Sequence, residues 1–264
     1  MKTKQLLVLS LTTIIFTACS NAPTTTQPNT EATPTKAVKV TIETVETDNI
    51  SYYEDAKGFF ATPKKHGNYP GVVMIHEWWG LNDNIKNQAQ TLAAQGYNVL
   101  AVDLYHGQIA TTSADAQKQV AALDQDDAVK NLQAAVSFLH KRGSVKIASL
   151  GWCFGGGQSL QLALSGTPLD ATVIYYGQLE SDPAKLATIK WPVLGIFGDK
   201  DAVVSVDSVK KFKESLDTNK ITNEIELYPG VGHAFANPSN AGYAPKETAD
   251  AWEKTLKFLA SNLN

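Results

Sequence analysis

The segment Gly151-Trp-Cys-Phe-Gly155 has the clearest capacity for chemistry in this chain. It fits the pattern Gly-x-nucleophile-x-Gly, in which a sharp strand-to-helix turn exposes a reactive side chain, here Cys153. Glycine suits both ends of such a turn, because the chain packs too tightly there for side chains. The thiol would lie near a helix N-terminus, whose positive end favours a thiolate. The alternative is that Cys153 is a small buried residue, as free cysteines usually are.

Two later segments supply the partners that a cysteine nucleophile needs. A histidine must take the thiol proton and later protonate the leaving group, and a carboxylate must orient that histidine. His233 follows the last predicted strand, and Asp201 follows the strand before it. The chain order is therefore Cys153, Asp201, His233, which is the order of nucleophile, acid and histidine in α/β-hydrolases. Asp199 is the competing acid, although a solvated or turn-capping role suits it better.

A hydrolase of this kind also needs an oxyanion hole, which is a pair of N–H donors for the developing negative charge. One donor is the backbone N–H of the residue after the nucleophile, Phe154. The other is expected from the loop that follows residues 71–76, where the N–H of Trp78 is the candidate. Glu77 in that loop is unusual, because a carboxylate beside a thiol opposes thiolate formation unless it moves or is protonated. We therefore expect Glu77 to modulate the nucleophile.

The segments that must position these groups alternate between strand and helix. Strands are predicted over residues 38–45, 50–61, 71–76, 99–105, 147–150, 171–176, 192–197 and 224–228. Helices are predicted over residues 84–95, 114–141, 158–164, 206–216 and 246–263. The alternation predicts one α/β domain, with a mostly parallel, doubly wound sheet, helices on both faces and an antiparallel start. In such sheets, sites form at the carboxyl ends of the strands.

In combination, these residues resemble the dienelactone hydrolase family over nearly all of residues 38–264. The matching pieces are His-Glu77-Trp-Trp-Gly80, Gln95-Gly-Tyr97, Asp103-Leu-Tyr105, Gly151-Trp-Cys-Phe-Gly-Gly156, Tyr175-Tyr-Gly177, Gly198-Asp-Lys-Asp201 and Gly232-His-Ala-Phe235. The resemblance implies an α/β-hydrolase fold, carboxymethylenebutenolidase-like hydrolysis of esters or lactones, and a triad of Cys153, Asp201 and His233. It also implies that Glu77 contacts the nucleophile in the resting enzyme and is displaced when substrate binds.

The sequence departs from the founding members of that family at the positions that bind substrate. Those members hold the dienelactone carboxylate with arginines, one shortly after Asp-Leu-Tyr and one in His-x-Phe-Ala-Arg. This chain has 106–108, His-Gly-Gln, at the first position and Asn237 at the second. Asparagine cannot form a charged bidentate clamp, so the sequence gives little support for activity on dienelactone itself. We expect Trp79, Tyr105 and Asn237 to line the substrate pocket, although the aromatic residues could equally belong to the core.

The N-terminus indicates export. Residues 1–19 combine a positive start, a short apolar run and small residues before Cys19, which resembles the lipobox of bacterial lipoproteins. Cys19 would then carry the lipid, and Ser20 after it resembles the pattern for outer-membrane sorting in a Gram-negative cell. A plain secretory signal with an incidental Cys19 is the alternative. Residues 20–37, rich in Thr and Pro, predict a flexible tether. Cys153 would be the only remaining thiol in an oxidising compartment, which favours a function for it.

Composition limits the other classes. The chain has 264 residues with 23 Lys and Arg against 26 Asp and Glu. This length suits one substantial core, and the balance gives no reason to expect nucleic-acid binding. No metal-ligand spacing or phosphate loop appears, so no cofactor is expected. The expected partners are a small-molecule ester or lactone, and a membrane contacted through the lipid anchor only, with the protein a monomer.

Three functions fit the sequence. The first is a Cys-His-Asp hydrolase of esters or lactones. The second, within the same class, is a generic carboxylesterase or thioesterase. The third is a non-catalytic lipoprotein that uses the fold as a ligand-binding module, and the retention of the triad, the oxyanion loop and Glu77 argues against it.

Overall fold

The computed structural model describes residues 45–264. The predicted signal segment 1–19, the tether 20–37, the lipidation site Cys19 and all but the end of the predicted strand 38–45 lie outside that range. In the described residues, no helix combines the length and apolarity that crossing a bilayer requires.

Eight strands form a single sheet in the order β1-β2-β4-β3-β5-β6-β7-β8. The pairs β1–β2 and β2–β4 are antiparallel, and all other pairs are parallel. The strands are β1 Val45–Tyr53, β2 Ala56–Pro63, β3 Gly71–Ile75, β4 Asn98–Ala101, β5 Ile147–Trp152, β6 Ala171–Tyr175, β7 Val193–Gly198 and β8 Asn223–Tyr228. Strands β3 to β7 are buried along their whole length, because helices cover both faces of the sheet. The predicted fold class is confirmed.

Seven helices accompany the sheet. They are α1 Asp83–Ala93, α2 Ser113–Ala122, α3 Gln125–Lys141, α4 Phe154–Leu164, α5 Pro183–Leu186, α6 Val206–Thr218 and α7 Pro245–Leu263. Helices α1 and α7 contribute to one hydrophobic cluster on the sheet, and α3, α4 and α6 contribute to the cluster on the other face. The short helix α5 was not predicted from the sequence.

The single strand predicted over residues 50–61 is wrong. The chain instead turns back at Glu54, which has a φ of 42°, so that Tyr53 pairs with Ala56 and β1 and β2 form a hairpin. The apolar residues of this stretch continue across the turn, which is why the pattern looked unbroken. The polar pair Glu54-Asp55 was the local signal for the turn.

The single helix predicted over residues 114–141 is also wrong. Leu123 takes an extended conformation, with φ −65° and ψ 125°, and this ends α2. The side chain of Asp124 then accepts hydrogen bonds from the N–H groups of Asp126 and Asp127, which starts α3. Asp124 was a signal that a new helix begins, but the continuous amphipathic pattern on both sides of it concealed that signal.

The order of the strands reverses between β3 and β5. Strand β4 lies on one side of β3, and β5, the next strand in the chain, lies on the other. At such a point the loops after neighbouring strands separate and leave a crevice at the carboxyl edge of the sheet. The loop after β3 and the turn after β5 therefore border a common site.

Candidate active site

Cys153 lies at the turn between β5 and α4 in a conformation that side chains rarely adopt, with φ 54° and ψ −118°. Helix α4 begins directly after it at Phe154, and not at Gln158 as the sequence suggested. A Cβ on Gly155 would overlap with the carbonyl oxygens of Ile75 and His76 at the end of β3. The strained turn is thus held against β3 by main-chain packing, and strain of this kind is typical of functional sites.

The structure places the three predicted triad residues in one hydrogen-bonded chain. The Sγ atom of Cys153 lies 3.0 Å from Nε2 of His233. On the other side of the ring, Nδ1 of His233 lies 2.9 Å from Oδ2 of Asp201. Asp199, the competing acid, instead accepts a hydrogen bond from the N–H of Gly230. A thiol, an imidazole and a carboxylate therefore lie in the order that the predicted triad requires.

Asp201 is fixed as a carboxylate. Its side chain has no exposed area, and its Oδ1 accepts hydrogen bonds from the N–H groups of Val203 and Val204. Burial raises the pKa of this carboxyl group. The hydrogen bonds from His233, Val204 and Val203 outweigh that effect and leave the pKa of Asp201 below its ordinary value. The acid that orients His233 stays charged as a result.

His233 is correspondingly basic. Burial lowers the pKa of this imidazole, but the hydrogen bonds to Asp201 and Cys153 and the charges of those groups raise it to about 10. The edge of the ring packs against Tyr176, with the ring centroids 5.3 Å apart. Tyr176 is fully buried and has a φ of 35°. It contacts His233, a role that the matching segment Tyr175-Tyr-Gly177 did not indicate.

Glu77 lies on the same cavity, but its hydrogen bond does not go to the nucleophile. Its Oε2 accepts a hydrogen bond of 2.5 Å from Nδ2 of Asn237. Burial raises the pKa of Glu77 to about 7, against the opposing effects of the His233 charge and the Asn237 hydrogen bond. The resemblance implied contact between Glu77 and Cys153, whereas here Cys153 pairs with His233 and Glu77 pairs with Asn237.

The two predicted oxyanion donors are available. Within residues 45–264, the Trp78 N–H has no hydrogen-bond acceptor. The Phe154 N–H is at the first position of α4, where the helix offers no acceptor. His76 supports this loop, because one ring nitrogen contacts the carbonyl oxygen of Glu77 and the other accepts a hydrogen bond from the N–H of Leu104. Burial lowers the pKa of His76, which favours the neutral imidazole that links the loop of Glu77 to the loop of Leu104.

A cavity of about 510 Å³ opens above Cys153. Trp79 and Asn237 line it, as expected, and so do Trp78, Glu77 and His233. Tyr105 does not line it. Its ring packs against His76 and Phe154, and it borders a separate cavity beside α2 and α3.

Sequence reasoning missed several residues of the main cavity. Val203, Ser239, Asn240 and Ala241 come from the loops after β7 and β8 and line its mouth. Their only signal was proximity in sequence to Asp201 and His233. Among residues 45–264, no group of three or more His, Cys, Asp or Glu side chains is arranged to hold a metal ion.

The fold and this arrangement define the class of α/β-hydrolases with a cysteine at the nucleophile position. Residues 56–263 match the model of the dienelactone hydrolase family, and the chain belongs to that family.

Three individual relatives illustrate the similarity. A protein of Saccharolobus solfataricus named "Putative carboxymethylenebutenolidase" is 30% identical over 248 residues, covering 77% of this chain and 93% of its own length. A Bradyrhizobium sp protein named "Probable 2-oxo-3-(5-oxofuran-2-ylidene)propanoate lactonase" is 28% identical, covering 80% and 91%. The crystal structure of a dienelactone hydrolase-like promiscuous phosphotriesterase from metagenomic libraries is 26% identical, with a TM-score of 0.77, covering 84% of this chain and all of the other.

Proposed function

We propose that this protein hydrolyses carboxylic esters or lactones through Cys153, with His233 as base and acid and Asp201 as the orienting carboxylate. The observation that carries the proposal is the unbroken chain from Sγ through the imidazole to the Asp201 carboxylate. The names of its relatives, a carboxymethylenebutenolidase and a lactonase, support the same reaction class.

The first half of the reaction follows from the positions of these groups. The Cys153 thiol gives its proton to Nε2 of His233, the sulfur attacks the substrate carbonyl carbon to form a C–S bond, and the carbonyl electron pair moves to oxygen. The N–H groups of Trp78 and Phe154 stabilise that oxyanion. As the carbonyl re-forms, the C–O bond breaks and the leaving oxygen takes the proton from Nε2 of His233. The product is a thioester on Cys153 and a free alcohol, or the ring-opened hydroxyl or enol of a lactone.

The second half uses the same groups in reverse. His233 removes a proton from water, the water oxygen attacks the thioester carbon, and the C–S bond breaks. The thiolate leaves, and the imidazolium that remains restores the resting pair. Asp201 keeps its charge throughout and stabilises the imidazolium each time it forms. Esters, thioesters and lactones all fit this cycle, so a generic carboxylesterase or thioesterase remains within it.

The test compares the purified protein with its Cys153→Ala and His233→Ala variants on p-nitrophenyl esters and on an enol lactone. We expect each substitution to lower kcat by about 10³-fold or more, because the triad members act as one unit. Circular dichroism should show the same fold for all three proteins. Turnover by pure Cys153→Ala protein at the wild-type rate would remove Cys153 as the nucleophile. A folded wild-type protein that hydrolyses no ester or lactone would favour the binding-module alternative.

A further inference from the structure

The walls of the cavity above Cys153 are apolar. Indole rings of Trp78 and Trp79 pack edge to face on one side, with centroids 5.0 Å apart. Val203, Ala234 and Ala241 line the rest of the wall, and Val203 at the mouth is 73% exposed. Exposed apolar surface at the rim of a cleft is typical of a ligand-binding site. An apolar substituent is the natural occupant of this volume.

The two asparagine side chains in the wall are already engaged. Asn237 donates to Glu77 and accepts from the N–H of Ser239. Asn240 donates to the carbonyl oxygens of His233 and Ala234 and thereby holds the histidine loop. A substrate that recruited both N–H groups of either amide would break a hydrogen bond that supports the site.

No cation is placed to receive an anionic substrate. Among the cavity residues of the described chain there is neither lysine nor arginine. Arg142 is the only arginine in the sequence, and it lies over the rings of Phe138 and Phe60 at the C-terminal end of α3. That end of α3 faces the amino edge of the sheet, opposite the site. Lys200, beside Asp201 in sequence, pairs with Asp199.

The charges that do face the cavity are balanced or negative. The His233 imidazolium is neutralised by its carboxylate partner Asp201, 2.9 Å away. Glu77 adds a second carboxyl group, which accepts one hydrogen bond, from Asn237, and lies in the field of the His233 charge without forming a salt bridge within residues 45–264. A substrate carboxylate entering here would lose its hydration, gain no counter-charge and approach Glu77, and each of these effects is unfavourable.

We propose that this site selects neutral esters or lactones that carry an apolar group, and that it discriminates against substrates whose acyl group carries a carboxylate. The proposal rests on the hydrolase function proposed above and deepens it. It separates this chain from the arginine-clamped pattern described for the family's founding members, because Asn237 serves Glu77 instead of a substrate anion.

The first test uses two esters that differ only in charge. The p-nitrophenyl ester of hexanoic acid and the mono-p-nitrophenyl ester of adipic acid share a leaving group and have the same chain length. We expect kcat/KM for the hexanoate to exceed that for the adipate by at least about tenfold, which corresponds to the loss of one favourable contact. The spontaneous rate, measured without protein, is subtracted. Equal values, or a preference for the adipate, would overturn the proposal.

A matched pair of variants locates the effect in the cavity. Val203→Lys places a cation at the mouth. Val145→Lys places the same cation on another exposed valine, 83% exposed, just before β5 at the opposite edge of the sheet. Val203→Lys should reduce the hexanoate-to-adipate ratio about threefold, mainly through a lower KM for the adipate. Val145→Lys should leave the ratio unchanged. A ratio that responds equally to both would mean that discrimination arises from overall charge and would overturn the proposal.

A binding measurement separates the selectivity from the chemistry. The p-nitroanilides of hexanoic acid and of adipic acid are stable analogues of the two esters, and calorimetry with Cys153→Ala measures their affinity without turnover. Tighter binding of the neutral anilide supports the selectivity even if the wild-type protein hydrolyses neither ester, in which case only the proposed function fails. Equal or tighter binding of the anionic anilide would overturn the selectivity, whatever the turnover.

Discussion

Asp201 and Glu77 both interact with His233, yet their carboxyl groups differ in state. Both residues are buried, since Asp201 is 9% exposed and Glu77 is 4% exposed. The pKa of Asp201 lies below its ordinary value, whereas that of Glu77 is raised to about 7. Asp201 accepts hydrogen bonds from His233 and from two N–H groups, and Glu77 accepts one, from Asn237.

The comparison shows that hydrogen-bond donors to the charged form can offset burial and keep an acid ionised. Burial alone raises the pKa of both groups. A pair of acids whose environments move their pKa values apart divides the work of a site, with one group held charged and the other able to exchange a proton near neutral pH. In this protein the charged carboxylate of Asp201 contacts His233, and Glu77 borders the cavity above Cys153.

The largest expected difference between Asp201 and Glu77 is the effect of their amide variants on turnover. Asp201→Asn should lower kcat by about 10⁴-fold, because an amide donor forces the wrong imidazole tautomer. Glu77→Gln, which removes the other acid with the same shape, should change kcat by less than about tenfold, since Glu77 has no hydrogen bond to the nucleophile or the base. Steady-state rates on a p-nitrophenyl ester measure both. Equal losses in the two variants would show that the acids do not have separate roles.

The second effect is on stability as pH changes. The pKa of Glu77 rises from its ordinary value of 4.5 to about 7 on folding. The native state therefore holds a proton that the unfolded chain has lost, and this contribution to stability declines as pH rises through that range. Relative to wild type, Glu77→Gln should gain up to about 3 kcal/mol in the free energy of unfolding between pH 4.5 and 8. Urea unfolding across this range measures the gain.

Asp201→Asn is a control in which the difference in the free energy of unfolding from wild type should change with pH in the opposite direction. The pKa of Asp201 is lowered on folding, so its contribution is present above its ordinary value of 3.8 and is lost as the solution becomes more acidic. The variant should be less stable than wild type at neutral pH, and the difference should shrink in acid. A Glu77→Gln profile parallel to wild type at every pH would contradict the raised pKa of Glu77.

The smallest effect concerns the single donor to Glu77. Asn237→Ala removes the hydrogen bond to Oε2 and should raise the pKa of Glu77 further, by about one unit, since one hydrogen bond to a charged group contributes roughly 1.5 kcal/mol or more. Infrared titration of the protonated carboxyl band, with Glu77→Gln to assign it, measures the shift. Ser239→Ala, which changes another cavity residue, should leave the band in place. An unchanged titration in Asn237→Ala would contradict the claim that the hydrogen bond from Asn237 lowers the pKa of Glu77.

The sequence predicted those parts of the site that depend on local backbone rules. Cys153 was located by the glycines around it, and Asp201 and His233 by their positions after strands, and the structure places all three within hydrogen-bonding distance. Their roles, like the interpretation of residues 1–37, stay predictions. The contact between Glu77 and Asn237 joins residues 160 positions apart. No local pattern encodes such a pair.

Side-chain direction was the other part that the sequence left open. Tyr105 was predicted to end a strand over residues 99–105, but β4 ends at Ala101. The ring of Tyr105 packs against His76 and Phe154 and does not line the cavity. The hairpin turn at Glu54 and the helix break at Leu123 were missed for a related reason. Hydrophobic patterns report which residues are buried, but they do not report where a chain reverses when apolar residues flank the turn on both sides.

The close approach of Gly155 to the carbonyl oxygens of Ile75 and His76 bears on how this site can change during evolution. The position of the nucleophile relative to the oxyanion loop is fixed by main-chain atoms, which every sequence with these glycines shares. The side chains around the cavity can therefore be replaced over generations without displacing the reacting atoms. Lineages that keep this junction can exchange one substrate for another while conserving the reaction, and a laboratory library confined to the cavity wall would exploit the same freedom.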